Sequence, residues 1–364
     1  MYRNDPRTVV TLDAGGTNFV FSAMRGYRSV VEPLTLPANA HDLDLCLQTM
    51  VEGFSRVIAR LPYPPVAISF AFPGPADYRR GIIGGYLPNF PSFRAGVALG
   101  PFLSERFGLP VFINNDGDLY ALGEALGGAL PEINREIEAL GGARRYSNLL
   151  GYTLGTGLGV GSVIDGRLNL GNNSCVETFC LPSPRHPGII AEDDAAIRSV
   201  VRDYAEVSGE SEPRTPLEIF GVAEGTRQGD PAAAREAFAR LGEVVGDVAA
   251  TAVTLTDSLV VIGGGLTGAM RYIKPALLAR MRSTLQTLTG ETLGRLQMEV
   301  FDLDDPEEFR AFAAGAPQQL KVYGSERTVP YDPVRRTGVM TSRLGAPAAI
   351  SLGAYAYALQ QLEF

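Results

Sequence analysis

Lysine and histidine are nearly missing from this chain: its 364 residues include two of each, Lys274 and Lys321, His41 and His186. A Walker A loop must end in Gly-Lys-Ser/Thr, and neither lysine sits in such a run; a protein kinase would also need its strand lysine. Phosphate chemistry here would have to run on backbone amides, hydroxyls, carboxylates and a metal ion. The three cysteines, Cys46, Cys175 and Cys180, form no Cys-x-x-Cys pair, and an odd count at such spacings makes a poor disulfide framework, so reduced thiols are expected. No apolar run reaches about 18 residues, and the opening MYRNDPRTVV has no signal core. The expectation is a cytoplasmic chain without a membrane partner. A net charge of -8 argues against a surface that neutralises nucleic-acid phosphates.

Packing material is abundant. Apolar residues make up 45% of the chain and charged residues 20%, with 14 tyrosines and 17 phenylalanines, and the length favours two domains over one core. Residues 7–24, RTVVTLDAGGTNFVFSAM, read as two strands around a tight turn. Helical spacing follows over 43–61, then a strand in PVAISFAF ending at a Pro-Gly-Pro turn. LPVFINNDGDLYALGEALGG (109–128) reads as strand, polar turn and helix, with Asp116 or Asp118 as candidate cap and Gly-Gly as the stop. NLLGYTLGTGLGVGSVIDGRLNL (148–170) repeats the opening pattern, strand, Gly/Thr turn, strand, which hints at two related halves. Asp230 and Pro231 should start a long helix leading into the buried strand of SLVVIGGGLTGAM. A helix, a strand in QMEVFDL, a charged surface stretch over about 303–337 and a closing helix complete the chain.

The break in the first hairpin asks for an explanation beyond a turn. Asp13 ends an apolar strand beside exposed amides, where an acid repels an anion unless a cation lies between them, and Mg²⁺ on a nucleotide is such a cation. Gly15 and Gly16 allow close approach to phosphate, and Thr17 adds a hydroxyl. Gly155-Thr156-Gly157 offers a second cradle, and the Gly263-Gly264-Gly265 turn a third, with room for a nucleobase or ribose. Gly263, Gly265 and Gly268 also fit Gly-x-Gly-x-x-Gly, so a dinucleotide-dependent oxidoreductase is an alternative. It leaves the other two turns unexplained. In INNDGD, Asn115 and Asp116 stand at a strand end, where a carboxylate can take a hydroxyl proton during phosphoryl transfer.

Four of these segments together resemble the ROK (repressor, open reading frame, kinase) sugar kinases of the actin-like ATPase superfamily. LDAGGTN is similar to the first phosphate motif, PVFINNDGDLYALGEALGG to the catalytic-aspartate segment, YTLGTGLGVGSVIDGRLNLG to the second phosphate motif and LVVIGGGLTGA to the adenosine motif. The resemblance implies an α/β, two-lobed actin-like ATPase (ribonuclease H-like) fold with a cleft between the lobes, ATP and Mg²⁺ as cofactors, and commonly a homodimer. The lobes would be residues 1–118 plus 350–364, and 119–349. By the same resemblance Asp116 is the general base, Asn89, Asn115, Glu177 and Glu192 hold the sugar, and Asp13, Gly15, Gly16, Thr17, Asn18, Gly155, Thr156, Gly157, Gly263, Gly264 and Gly265 hold the nucleotide, Asp13 through its Mg²⁺. The chain departs from the family at Cys180, where a histidine is usual, and in LPSPRHPGIIAEDD, which replaces the cysteine-rich zinc loop. No zinc site is expected. The implied activity is phosphorylation of a hexose or amino-hexose, glucokinase-like. The alternative from another class is a catalytically quiet sugar or nucleotide sensor; the family's DNA-binding repressors carry a helix-turn-helix for which residues 1–10 leave no room.

Overall fold

The computed structural model describes residues 2–74 and 76–363. Pro75, the last residue of the expected Pro-Gly-Pro turn, lies outside the described residues. The chain forms two compact units, one from Met1–Leu130, Gly161–Val176 and Arg343–Phe364, the other from Pro131–Val160 and Glu177–Ser342.

In the first unit a sheet is built from β1 (Val9–Ala14), β2 (Asn18–Arg25), β3 (Arg28–Ser29), β4 (Leu34–Pro37), β5 (Ala67–Ala71) and β6 (Val111–Asn114). Its order is β3-β2-β1-β5-β6, with β4 on β2. β1 and β2 form the expected hairpin, and β1, β5 and β6 run parallel, with Asp13 opposite Ala71 and Ala71 opposite Asn114. That register puts the carboxyl ends of these strands along one edge. β5 is buried throughout, as a parallel strand covered on both faces must be.

One face packs on α1 (Leu43–Ile58), whose first turn is capped by Asp42 accepting from the Leu45 amide at 3.0 Å, and α2 (Leu99–Phe107) adds Leu99 and Leu103 to the same core. Aromatic rings fill this core: Phe21 meets Phe54 edge-on at 5.1 Å, and Phe72 contacts Phe90 at 4.6 Å and Phe93 at 5.1 Å. Each buried ring contributes roughly 1.5–3 kcal/mol. The other face is covered by α10 (Ala346–Leu362), which packs on α3 (Asp116–Leu126). Their contact depends on Gly123 and Gly353, where a Cβ would strike the facing helix backbone.

The second unit carries α4 (Ala129–Ala139) from Pro131 onward, β7 (Leu149–Leu154), the start of β8 (Leu158–Ile164), α5 (Ile197–Ser208), α6 (Pro216–Ala223), α7 (Pro231–Thr256), β10 (Leu259–Gly263), α8 (Met270–Met281), β11 (Glu299–Asp302), α9 (Pro306–Ala314) and β12 (Arg336–Thr341). The sheet order is β9-β8-β7-β10-β12-β11, where β9 is Arg167–Leu168. A hairpin flanked by added parallel strands thus occurs in both sheets, in agreement with the repeated sequence pattern. Asp165 and Gly166, both at positive φ (49° and 73°), make the β8–β9 turn. Asp230 caps α7 by accepting from the amides of Ala232 and Ala233, and Pro231 occupies the first helical position.

Two expectations need correction. The charged stretch over 303–337 is not only surface: it contains α9, capped by Asp305, and runs into the buried strand β12 between β10 and β11. Arg336 disguised that strand. It is buried at the strand start, where it donates to the Phe312 carbonyl and pairs with Asp332. The second correction concerns α3, which is capped by neither Asp116 nor Asp118. Asn115, extended at φ −77° and ψ 164°, precedes the first helical residue and accepts from the Asp118 amide at 2.5 Å.

Candidate active site

In the first unit the carboxyl edge of the sheet gathers the acids. Asp13 projects at the end of β1, and Asp116 opens α3 two residues after β6 ends. Parallel sheets bind ligands outside this edge because strands end there and helices begin. Burial and the neighbouring Asp116 carboxylate push the Asp13 carboxyl up, even though its side chain keeps solvent contact. Asp116 is exposed, and its Oδ1 accepts from the Gly117 amide at 2.9 Å. Because Asn115 does the capping, the Asp116 carboxylate is not committed to closing the helix.

Asp118, considered from sequence only as a cap, is 5% exposed, and burial together with Asp116 pushes its carboxyl up to about 7. On α10, Tyr357 is pushed up in turn, first by its own burial and then by Asp118. The Asp116 carboxylate therefore bears on both Asp13 and Asp118. An anionic phosphate can enter such a field only with a cation, and Asp13, a hard oxygen donor at a strand end, fits Mg²⁺ carried on phosphate oxygens.

The 15–18 turn and Asn89 are packed together. A Cβ on Gly16 would come within 3.0 Å of the Asn89 Cβ, and one on Gly15 within 3.0 Å of the Asn18 carbonyl. Asn89 is exposed between the buried Leu87 and Phe90, so the aromatic core anchors the segment and turns the amide outward. Gly16, expected from sequence among the nucleotide residues, is thus also the surface on which Asn89 rests.

In the second unit β7 and β10 are parallel neighbours, Gly263 opposite Thr153, so the turn at Gly155–Gly157 and the turn at Gly263–Gly265 leave the sheet side by side. Gly264 is at φ 96°, and a Cβ there would strike the Leu154 backbone. Gly155 and Gly265 have open space instead. Glu192 is held against the first of these turns: its Oε2 accepts from the Leu158 amide at 3.1 Å, and its Oε1 pairs with Arg198 at 3.1 Å. Glu177 lies near Tyr152, a buried phenol pushed up by its burial and, more weakly, by Glu177. Tyr152 and Arg198 carry no local motif, and sequence reading missed both.

The loop in place of the family's zinc loop is organised by Asp194, which is 1% exposed. It accepts from the Ser183 hydroxyl at 2.5 Å and from Arg202 at 2.5 Å, and lies 2.7 Å from Nδ1 of His186. Burial pushes the Asp194 carboxyl up, but these donors outweigh it and hold it below the usual range. His186, read from sequence as a solvated loop residue, keeps a half-exposed ring but is tied to this acid. Among the described residues no group of three or more His, Cys, Asp or Glu side chains is placed to hold a metal ion, and no helix is long and apolar enough to cross a membrane.

Each unit thus holds a hairpin extended by parallel strands, with Asp13 and Asp116 at a sheet edge of one and paired glycine turns in the other, and this is the actin-like ATPase fold. Residues 9–178 match the ROK family model, and the chain belongs to the ROK family. It is 55% identical to a glucokinase of known structure from Parabacteroides distasonis, with 99% of each chain covered and a TM-score of 0.92. The N-acetylgalactosamine kinase AgaK of Shewanella sp. is 27% identical over 277 residues, 70% of this chain and 80% of that protein. The xylose repressor of Bacillus spizizenii is 29% identical over 122 residues, 34% of this chain and 27% of the repressor.

Proposed function

We propose that this protein is an ATP-dependent sugar kinase that phosphorylates a hydroxyl of a hexose or amino-hexose, with a gluco-configured sugar as the first candidate. The observation that carries this reading is Asp116, an exposed carboxylate at the mouth of the parallel sheet, freed from capping by Asn115 and placed in the field of Asp13. As the sugar oxygen bonds to the γ-phosphorus, its proton passes to Asp116, and the bond from that phosphorus to the bridging oxygen breaks to release ADP. Asn89, Asn115, Glu177 and Glu192 orient the sugar. A carboxylate has about four acceptor positions, so Glu192 can hold Leu158 and Arg198 and still accept from a sugar hydroxyl. Residues 13–18, 155–157 and 263–265 take the nucleotide, and Mg²⁺ held through Asp13 would neutralise phosphate charge as it develops. A homodimer in the cytoplasm is the proposed working state.

The test is ADP release by the purified protein with ATP and Mg²⁺ across glucose, mannose, N-acetylglucosamine, N-acetylmannosamine and N-acetylgalactosamine. Asp116→Asn should bind the sugar and lose about 10²- to 10⁴-fold in turnover. Near-normal turnover in the variant would remove Asp116 from the mechanism. The sensor reading is favoured only by the altered loop and by the repressor relative; it predicts sugar and nucleotide binding with no ADP release at all.

A further inference from the structure

The Gly155–Leu158 turn is wired to the segment that opens α5. The Gly155 carbonyl accepts from the Ile197 amide at 2.8 Å, and the Thr156 carbonyl accepts from Arg198 Nη1 at 3.1 Å. The Leu158 amide donates to Glu192, whose second oxygen accepts from Arg198 Nη2 at 3.1 Å. Arg198 Nε donates to Asp193 at 2.8 Å and Nη2 lies 2.6 Å from the same carboxylate, so all three guanidinium nitrogens are engaged, on three different groups in all. A planar fork can serve three directions at once, which the single ammonium of a lysine cannot reproduce.

These bonds have one geometric consequence for the turn. Its Gly155 and Thr156 carbonyls are drawn toward α5, and a peptide whose carbonyl is tied on one side presents its amide on the other. Gly155 has open space where a Cβ would stand, and its own amide donates within the turn to the Gly157 carbonyl at 3.1 Å. Glu192 is anchored to the same turn, and a Cβ on Gly157 would collide with its Oε2 at 2.7 Å.

We infer that Arg198 is a positioning residue for the nucleotide: by holding the Thr156 carbonyl and Glu192 together, it fixes the Gly157 amide, which belongs to the same peptide as that carbonyl, toward the phosphates. The inference rests on the kinase reading for its ligand; of the residues proposed to orient the sugar, Arg198 bonds to Glu192, and its other bonds go to Thr156 and Asp193 rather than to Asn89, Asn115 or Glu177. Arg198 acts through the turn and Glu192, and no phosphate contact is assigned to it.

Arg198→Gln, made in the full chain, should weaken binding of Mg²⁺·ADP, measured by titration calorimetry, by about tenfold, the scale of losing charge-assisted hydrogen bonds. In steady-state turnover it should raise the KM for ATP by a similar factor and the KM for sugar by a clearly smaller one, since Glu192 loses a partner while Asn89, Asn115 and Glu177 keep their places. Arg198→Lys should recover only part of the loss. Because the side chain is 45% exposed, the fold should tolerate both changes. Nucleotide affinity within about twofold of the parent in Arg198→Gln, or equal factors on both KM values, would overturn the inference. If the parent binds Mg²⁺·ADP but turns over no sugar, the kinase reading fails, and the calorimetric comparison still decides the role of Arg198. A parent chain that binds no nucleotide overturns both.

Discussion

Asp118→Asn is the substitution whose outcome is worked out most fully by the structure. The side chain is 5% exposed on α3, beside Asp116, and its carboxyl ionises at about 7 where 3.8 is ordinary. A difference of that size disfavours the charged form in the folded state by about 4 kcal/mol. The sign follows from proton counting. Between pH 4 and 7 the folded chain keeps a proton on Asp118 that the unfolded chain has lost, so raising the pH lowers stability by about 1.4 kcal/mol per pH unit, and the loss ends above pH 7. Asparagine is close in shape and carries no charge, so the variant lacks this slope. Urea unfolding at pH 5, 6, 7 and 8 should show the variant gaining on the parent by about 3 kcal/mol between pH 5 and 8, most of it below pH 7. Asp116→Asn should narrow the pH range over which stability falls, ending the loss at a lower pH, because the Asp116 charge is the second cause of the perturbation after burial. Parallel stability curves for parent and Asp118→Asn would refute the reasoning and mean that Asp118 ionises like an exposed acid.

Gly16→Ala should raise the KM for sugar by about tenfold with a smaller effect on ATP, because the new methyl displaces Asn89, and misplacements well under 1 Å are costly in a site; equal effects on both substrates would count against it. Asp194→Asn removes the charge that Ser183, His186 and Arg202 share and should lower stability by about 3 kcal/mol, read as a fall in the urea midpoint, whereas prolonged chelation with EDTA should leave the parent's midpoint unchanged. A midpoint that drops on chelation would reveal a structural metal. Asp13→Ala should raise the Mg²⁺ concentration for half-maximal turnover by about tenfold, and an unchanged magnesium dependence would detach Asp13 from the ion.

The glycine turns were legible because their determinants are local. Apolar β-branched strands broken by Gly-Gly, Gly-Thr-Gly or Gly-Gly-Gly specify a turn and a free amide row within a few residues, and β1, β2, β7, β8 and β10 fall where those patterns put them. Caps are less secure even at short range: INNDGD offers several side chains able to close α3, and the backbone at Asn115, not the acid content, selects the one that does. β12 escaped notice because a buried Arg336 opens it, and an arginine reads as surface until its partners, Phe312 and Asp332, are brought to it.

From its residues alone the chain determines that any phosphate chemistry must run without a lysine loop, and it determines the two glycine hairpins, the acid at the end of β1 and the acid-rich turn after β6. Tertiary structure decided what those groups meet. Register between parallel strands brings Asp13 to Asp116, helix α10 buries Asp118, Asn89 settles on Gly16, and Glu192 reaches Leu158 from 34 positions away. Charge, burial and reach depend on neighbours distant in sequence, and only the folded chain supplies them.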